Sequence, residues 1–258
     1  MTKKIKTEIE YRRSILINLS YDYSIPMMPS ERTSIQSLLE KWETPTRPNN
    51  AINLIKQFCT SAFSYAPLRK YLTSFIGDIP KRDTIHFALN KAFNNDSFLI
   101  DSNWTPKTLR NLALKIQIKE NYDLSRKQFK PRIISVLLTG TEKLSNELSS
   151  GLDIFYNKIE TITSPCEMWD LAENFSKPIT NVGPALICDF FKEIGFVRYV
   201  KVDHHFRKEF PQLIADYKIC RQNPKMSFIL SQKIADQIGI TPYHLDSILY
   251  LWGRYGKK

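Results

Sequence analysis

The chain has 258 residues, of which 42% are hydrophobic and 24% charged, an ordinary globular composition that argues against a largely disordered chain. Its 37 Lys and Arg residues outnumber its 26 Asp and Glu residues, which gives a formal net charge of +11. This excess favours a polyanionic partner, because basic side chains that neutralise phosphates release condensed counterions, although RNA, anionic lipid or a merely basic surface would also fit the charge.

The four cysteines of the chain give no support for a metal cluster. Cys59, Cys166, Cys188 and Cys220 are widely spaced, and none of them forms a C-x-x-C pair. We expect them to be scattered, mostly buried thiols in a reducing cytoplasm. The sequence also has no apolar run that approaches the ~20 residues of a membrane span. These features predict a soluble cytoplasmic monomer, associated with the nucleoid if the source is bacterial.

Polar or proline-rich breaks divide the chain into segments with helical periodicity. The breaks fall at residues 24–30, 44–50, 77–83, 94–105, 161–164 and 222–225. In the segment after the second break, one helical face carries Ile52, Ile55, Phe58 and Cys59. No part of the chain shows the alternation typical of strands, so the sequence predicts an all-α fold.

Two helix starts are marked by a threonine followed by a proline. Thr105 and Thr241 can each cap a helix, and the next residue, Pro106 or Pro242, suits the first helical position. The helix after Thr241 has an apolar stripe at Leu245, Ile248, Leu249 and Trp252. We predict one compact, two-lobed unit, in which residues 1–140 form a helical lobe and 141–258 contain the functional segment.

Two helices joined by a short link form the centre of that segment. Met168, Leu171, Ala172 and Phe175 define the first helical face, which ends at Lys177-Pro178. Pro184 suits the start of the second helix, and Gly195 suits its end. Gly183 would let the backbone approach a phosphate, toward which the first N–H groups of the next helix would point. An ordinary helical hairpin is the alternative.

Asp203 follows this pair of helices. The stretch 196–202 has the pattern of an extended chain, and it brings Asp203 to the start of a further helix at His204. A carboxylate at this place can serve as an N-cap or take part in chemistry. Both roles are compatible, because one oxygen can cap the helix while the other faces a substrate.

The segment 164–208 resembles the helix–hairpin–helix GPD superfamily of base-excision DNA glycosylases. The resemblance rests on Asn181-Val182-Gly183 and on Val202-Asp203-His204-His205, and the closing stretch 251–256 is similar to C-terminal helices of some members. It implies a DNA glycosylase that flips a damaged or modified base out of DNA, with Asp203 as the catalytic carboxylate. The DNA-binding residues it implies are Asn181, Val182, Gly183, Ala185, His205 and Lys208. It implies no organic cofactor, and it allows a monovalent cation at the hairpin.

One departure from the family pattern bears on the reaction. Bifunctional members carry a Schiff-base lysine two residues after the second hairpin glycine, where this chain has Ala185. The resemblance therefore implies a monofunctional enzyme, which hydrolyses the N-glycosidic bond without cleaving the strand. The alternatives are a lyase that uses another amine such as Lys201, a non-catalytic helix–hairpin–helix DNA-binding protein, and an unrelated basic helical protein.

Aromatic side chains are the candidates for the base pocket, because a flipped base stacks on them. The candidates are Trp169, Trp104 and Trp252. Trp169 lies outside the Met168 and Phe175 stripe, so its position in the helical period sets it apart from the predicted core.

Overall fold

A computed structural model describes residues 2–25, 27, 29–63, 105–118, 134–214 and 223–256. Every regular element in these ranges is helical and none is a strand, so the predicted all-α class is confirmed there. The α-helices are α1 (Thr2–Tyr21), α2 (Pro29–Ile35), α3 (Ala51–Phe63), α4 (Pro106–Ile118), α5 (Thr141–Glu147), α6 (Leu152–Glu160), α7 (Pro165–Ser176), α8 (Pro184–Glu193), α9 (His204–Leu213), α10 (Pro224–Ile238) and α11 (Pro242–Tyr255). Two π-helical turns, Gln36–Glu40 and Val136–Gly140, follow α2 and precede α5. Among the described helices, none is long and apolar enough to cross a membrane.

The predicted helix starts at Thr105 and Thr241 are confirmed. Thr105 Oγ1 accepts a hydrogen bond from the N–H of Thr108 at 3.2 Å, and α4 begins at the next residue, Pro106. Thr241 Oγ1 accepts from the N–H of His244, also at 3.2 Å, at the start of α11. Each cap satisfies one of the first-turn N–H groups that have no partner within the helix.

Contacts divide the chain into two compact units. Unit 1 comprises Met1–Thr46, Thr163–Asp170 and Gly195–Lys258, and unit 2 comprises Arg47–Ile162 and Leu171–Ile194. In unit 1, α11 packs against α1, α9 and α10, and α1 packs against α2. Residue 140, where the sequence suggested a boundary, lies inside unit 2.

An aromatic cluster forms the core of unit 2, where α3 packs against α8. The Phe58 ring lies 5.4 Å from that of Phe190 and 6.0 Å from that of Phe175, measured between centroids. Gly140 ends the π-helical turn against Phe58, and a Cβ at residue 140 would lie only 2.7 Å from that ring. A glycine at this position therefore allows the close contact.

A buried histidine lies in unit 1 at the start of α11. His244 is 5% exposed, its Nδ1 lies 2.7 Å from Thr241 Oγ1, and its ring meets the edge of Trp42 at 4.5 Å. The Arg13 guanidinium lies 4.5 Å from the centre of the Trp42 ring. Burial lowers the pKa of His244, and the positive charge of Arg13 acts in the same direction.

We expect the unit 1 fold to lose stability when the pH falls below about 6.5, the pKa of histidine in an unfolded chain. Because the folded state holds the pKa of His244 below that value, the unfolded chain binds the proton more readily. Stability is therefore complete above the unfolded pKa and decreases toward the folded one, by at most about 1.4 kcal/mol per pH unit. Thermal unfolding from pH 8 to pH 5 measures this, with His244→Gln as the comparison. An equal loss in both proteins would contradict it.

Candidate functional site

Residues 177–183 link α7 to α8 in unit 2. Most of them are exposed, but two buried side chains and a hydrogen bond hold the link in place. Ile179 and Val182 are 2% and 6% exposed, and the N–H of Thr180 donates to Ser135 Oγ at 2.7 Å. Asn181 is exposed and has φ +62°, a left-handed backbone conformation that asparagine tolerates better than most residues. The link therefore has a fixed shape with an exposed tip at Asn181 and Gly183.

Nothing in the described fold requires a glycine at residue 183. Gly183 caps α8 with φ −97° and ψ 171°, which any residue adopts, and an added Cβ would meet no atom within 4 Å. Its N–H and that of Ala185 donate to none of the described residues, and Pro184 between them has no N–H. Among the described residues, the start of α8 therefore has two backbone donors without a partner, beside the open space at Gly183, a geometry suited to an anion.

The stretch before Asp203 is not simply extended, so that expectation is wrong for its first half. Residues 196–199 form a turn in which the N–H of Tyr199 donates to the carbonyl of Phe196 at 2.9 Å. The carbonyls of Val197 and Arg198 accept from α11 and α10, through Tyr243 N at 2.9 Å and Gln232 Nε2 at 2.6 Å. These long-range partners fold the stretch onto the two helices.

Asp203 caps α9 with one carboxylate oxygen. Its Oδ1 accepts from the N–H groups of His205 at 2.9 Å and Phe206 at 3.1 Å. Its Oδ2 accepts no hydrogen bond from the described residues, and the side chain is only partly buried. The N-cap interpretation of Asp203 is therefore correct, and it leaves one oxygen available for a second role.

Helix α11 supports the start of α9 from the side. The His205 ring meets Tyr250 edge to face at 5.5 Å, and a Cβ at Gly253 would lie 3.4 Å from Glu209 Cγ and 3.6 Å from His205 Nδ1. His205 is partly buried and Lys208 is exposed. The close packing of α9 on α11 fixes the helix that Asp203 caps.

A buried ion pair between α1 and α9 was not predicted from the sequence. Arg12 of α1 is 5% exposed and lies 3.5 Å from Glu209, which is fully buried, and 2.8 Å from Glu8. Its guanidinium also lies 5.1 Å from the centre of the Trp252 ring. The sequence could have indicated that Arg12 is buried, because Arg12 lies on the same face of α1 as Ile5, Ile9 and Leu16.

The three base-pocket candidates differ in their surroundings. Trp169 is 6% exposed and packs against Phe228, so its position outside the stripe does not keep it out of the core. Trp252 is partly exposed, with the Arg12 guanidinium 5.1 Å and the Tyr11 ring 6.1 Å from the centre of its ring. Trp104 lies outside the described residues.

The candidate residues fall into both units. Asp203, His205, Lys208, Trp169, Trp252 and Lys201 lie in unit 1, whereas Asn181, Val182, Gly183 and Ala185 lie in unit 2. Across the described ranges, no three or more His, Cys, Asp or Glu side chains are grouped so as to hold a metal ion. The chain matches no protein-family model, and searches of curated proteins and of solved structures return no relative.

Proposed function

We propose that the protein is a monofunctional DNA glycosylase, which flips a damaged or modified base out of DNA and hydrolyses its N-glycosidic bond. The observation that carries the proposal is the state of Asp203. One of its oxygens holds the first turn of α9 while the other accepts no hydrogen bond from the described residues, and the sequence around it resembles the active segment of base-excision glycosylases.

The chemistry of base release matches what such a carboxylate supplies. Positive charge develops on C1′ of the deoxyribose as the base departs, as in other glycosyl transfers. A carboxylate whose position is fixed stabilises that charge and can orient or deprotonate the attacking water. The two N–H groups that hold Oδ1 of Asp203 would keep the carboxylate in place without using its second oxygen.

The proposed DNA contacts come from backbone donors and basic side chains. The N–H groups of Gly183 and Ala185, which donate to none of the described residues, suit a phosphate, and the open space at Gly183 allows a close approach of the backbone. His205 and Lys208, on the helix that Asp203 caps, are proposed to bind phosphates near the flipped nucleotide. The net charge of +11 supports a polyanionic partner.

Trp252 is the candidate for stacking on the flipped base. Its ring is partly exposed and lies near Arg12 and Tyr11, whereas Trp169 is occupied by packing against Phe228. Such a ring offers a flat apolar surface at low entropic cost.

The test of the proposed function is a panel of duplexes that each contain one damaged or modified base. Each duplex is incubated with the purified protein and assayed for released base. The proposal predicts release from at least one class of base. Binding of every duplex without release from any would favour a non-catalytic DNA-binding protein instead.

We expect strand cleavage to require hot alkali or a separate lyase, because Ala185 occupies the position of the family's Schiff-base lysine. The products are compared on a denaturing gel with and without alkali. Incubation with abasic-site DNA and borohydride is the control, since borohydride traps a Schiff base as a covalent adduct. Strand scission at neutral pH together with a trapped adduct, at Lys201 for example, would overturn the monofunctional assignment.

A further inference from the structure

A thiol, a carboxylate and an ammonium group meet on the surface of unit 1, at Cys166, Asp170 and Lys225. Cys166 is exposed in the first turn of α7, whereas Cys59 and Cys188 are buried. The Cys166 thiol donates to Asp170 Oδ2 at 3.8 Å, one helical turn along α7. The thiol therefore has both a proton acceptor and access to small reagents.

Lys225 completes the cluster from another helix. It is the second residue of α10, and its Nζ donates to Asp170 Oδ1 at 2.6 Å, whereas the Cys166 thiol donates to the other oxygen of the same carboxylate. The side chains of Lys225 and Asp170 are 35% and 44% exposed. The hydrogen bond to Asp170 raises the pKa of Lys225, and the nearby Cys166 side chain acts in the same direction, so the nitrogen carries a proton that it can donate.

We propose that Cys166 is a peroxide-sensitive thiol and that Lys225 captures its oxidised form as a sulfur–nitrogen cross-link between α7 and α10. The oxidant is a hydroperoxide. In the first step Asp170 accepts the thiol proton, and the sulfur attacks one peroxide oxygen. The O–O bond breaks, and the departing hydroxide takes a proton from the Lys225 ammonium and leaves as water. The products are a sulfenic acid on Cys166 and a neutral amine on Lys225.

The second step joins the two side chains. The Lys225 nitrogen attacks the Cys166 sulfur, the S–O bond breaks, and the departing hydroxide leaves as water with a proton from the nitrogen. Sulfenic acids condense with nitrogen nucleophiles in this way to give sulfenamides. The sum consumes one hydrogen peroxide and releases two waters, while Asp170 returns its proton to solvent. Two molecules of a small thiol reverse the cross-link and become a disulfide.

The test treats the full chain with hydrogen peroxide and analyses its tryptic peptides by mass spectrometry, with and without a thiol reductant. We expect a reducible cross-linked peptide that contains Cys166 and Lys225 and is lighter than the two separate peptides by two hydrogen atoms. In Lys225→Met a proton from solvent replaces that of Lys225 in the first step and the reaction should stop at the sulfenic acid, so that dimedone labelling of Cys166, measured once oxidation is complete, rises above that of the wild type. Lys233→Met, an exposed lysine on the same helix, should behave like the wild type.

Asp170→Asn tests whether peroxide oxidises Cys166 because Asp170 accepts its proton or only because the thiol is exposed. Loss of the proton acceptor should slow the oxidation of Cys166 by peroxide, although the thiol stays exposed. Equal dimedone labelling of wild type and Lys225→Met, with no cross-linked peptide in the wild type, would overturn the proposal. Equal oxidation of Cys166 and the buried Cys59 in the folded wild type would also overturn it, and this measurement depends on no variant.

Discussion

Asp203→Asn is expected to abolish base release while affinity for the modified duplex stays the same or rises. The substitution removes the charge that would stabilise positive charge at C1′, and a positioned acid–base group typically contributes about 10²–10⁴-fold to the rate. Asparagine caps helices about as well as aspartate, so its Oδ1 can still accept from the N–H groups of His205 and Phe206. The variant should therefore fold, and the loss can be assigned to the chemistry. Single-turnover base release and duplex affinity are measured on the same preparation.

Two further variants separate catalysis from capping at Asp203. Asp203→Ala removes the cap as well as the charge, so it should also lose about 1 kcal/mol of stability, whereas Asp203→Asn should lose little. Asp236→Asn is the matched control, because Asp236 is exposed on α10 in the same unit. If Asp203 only caps α9, Asp203→Asn keeps its activity. Residual activity within about tenfold of the wild type would contradict a catalytic role.

The features that the sequence predicts well depend on residues a few positions apart. The caps at Thr105 and Thr241 each join a side chain to an N–H three residues later. Gly195 has a positive φ of 94°, as expected of a glycine that follows the end of a helix. Short-range interactions of this kind leave a recognisable pattern in the sequence.

Features that depend on distant residues could not be predicted in this way. The turn at 196–199 forms where its carbonyls meet Tyr243 and Gln232. Trp169 is buried because Phe228, far along the chain, packs against it. These partners lie far away in the sequence, so local patterns gave a wrong prediction both for the conformation of 196–199 and for the burial of Trp169.

The candidate site shows the same division between local and distant interactions. The cap that Asp203 provides was among the roles expected of it, since His205 and Phe206 follow it directly. The buried pair of Arg12 and Glu209 was not expected, because the two residues lie on the first helix and on α9. The charges of that pair are compatible with a buried place only when both are present, since an unpaired buried charge is strongly destabilising.

Gly183→Glu is expected to reduce affinity for every DNA sequence alike, by about 10–100-fold, as for loss of a hydrogen bond to a charged group. Phosphate contacts position a protein without reading bases, so the loss should not depend on the target base. The backbone at Gly183 accepts any residue, and the space around its Cβ is open, so the variant should keep its fold. A bulky carboxylate there would collide with a bound phosphate and repel it. Fluorescence anisotropy with duplexes of different sequence, at several salt concentrations, measures the effect.

Matched variants test whether the loss of DNA affinity in Gly183→Glu depends on where the new charge is placed. Asn157→Glu adds the same charge at another exposed residue of unit 2 and should change affinity little. Lys208→Ala should mainly flatten the salt dependence, because each neutralised phosphate contributes a slope of about −0.9 in log affinity against log salt. A neutral backbone donor releases fewer counterions than a lysine, so the two variants should differ in how their affinities change with salt. A Gly183→Glu protein that is folded by circular dichroism and binds DNA like the wild type would exclude the proposed phosphate contact, and the DNA-binding role of the link with it.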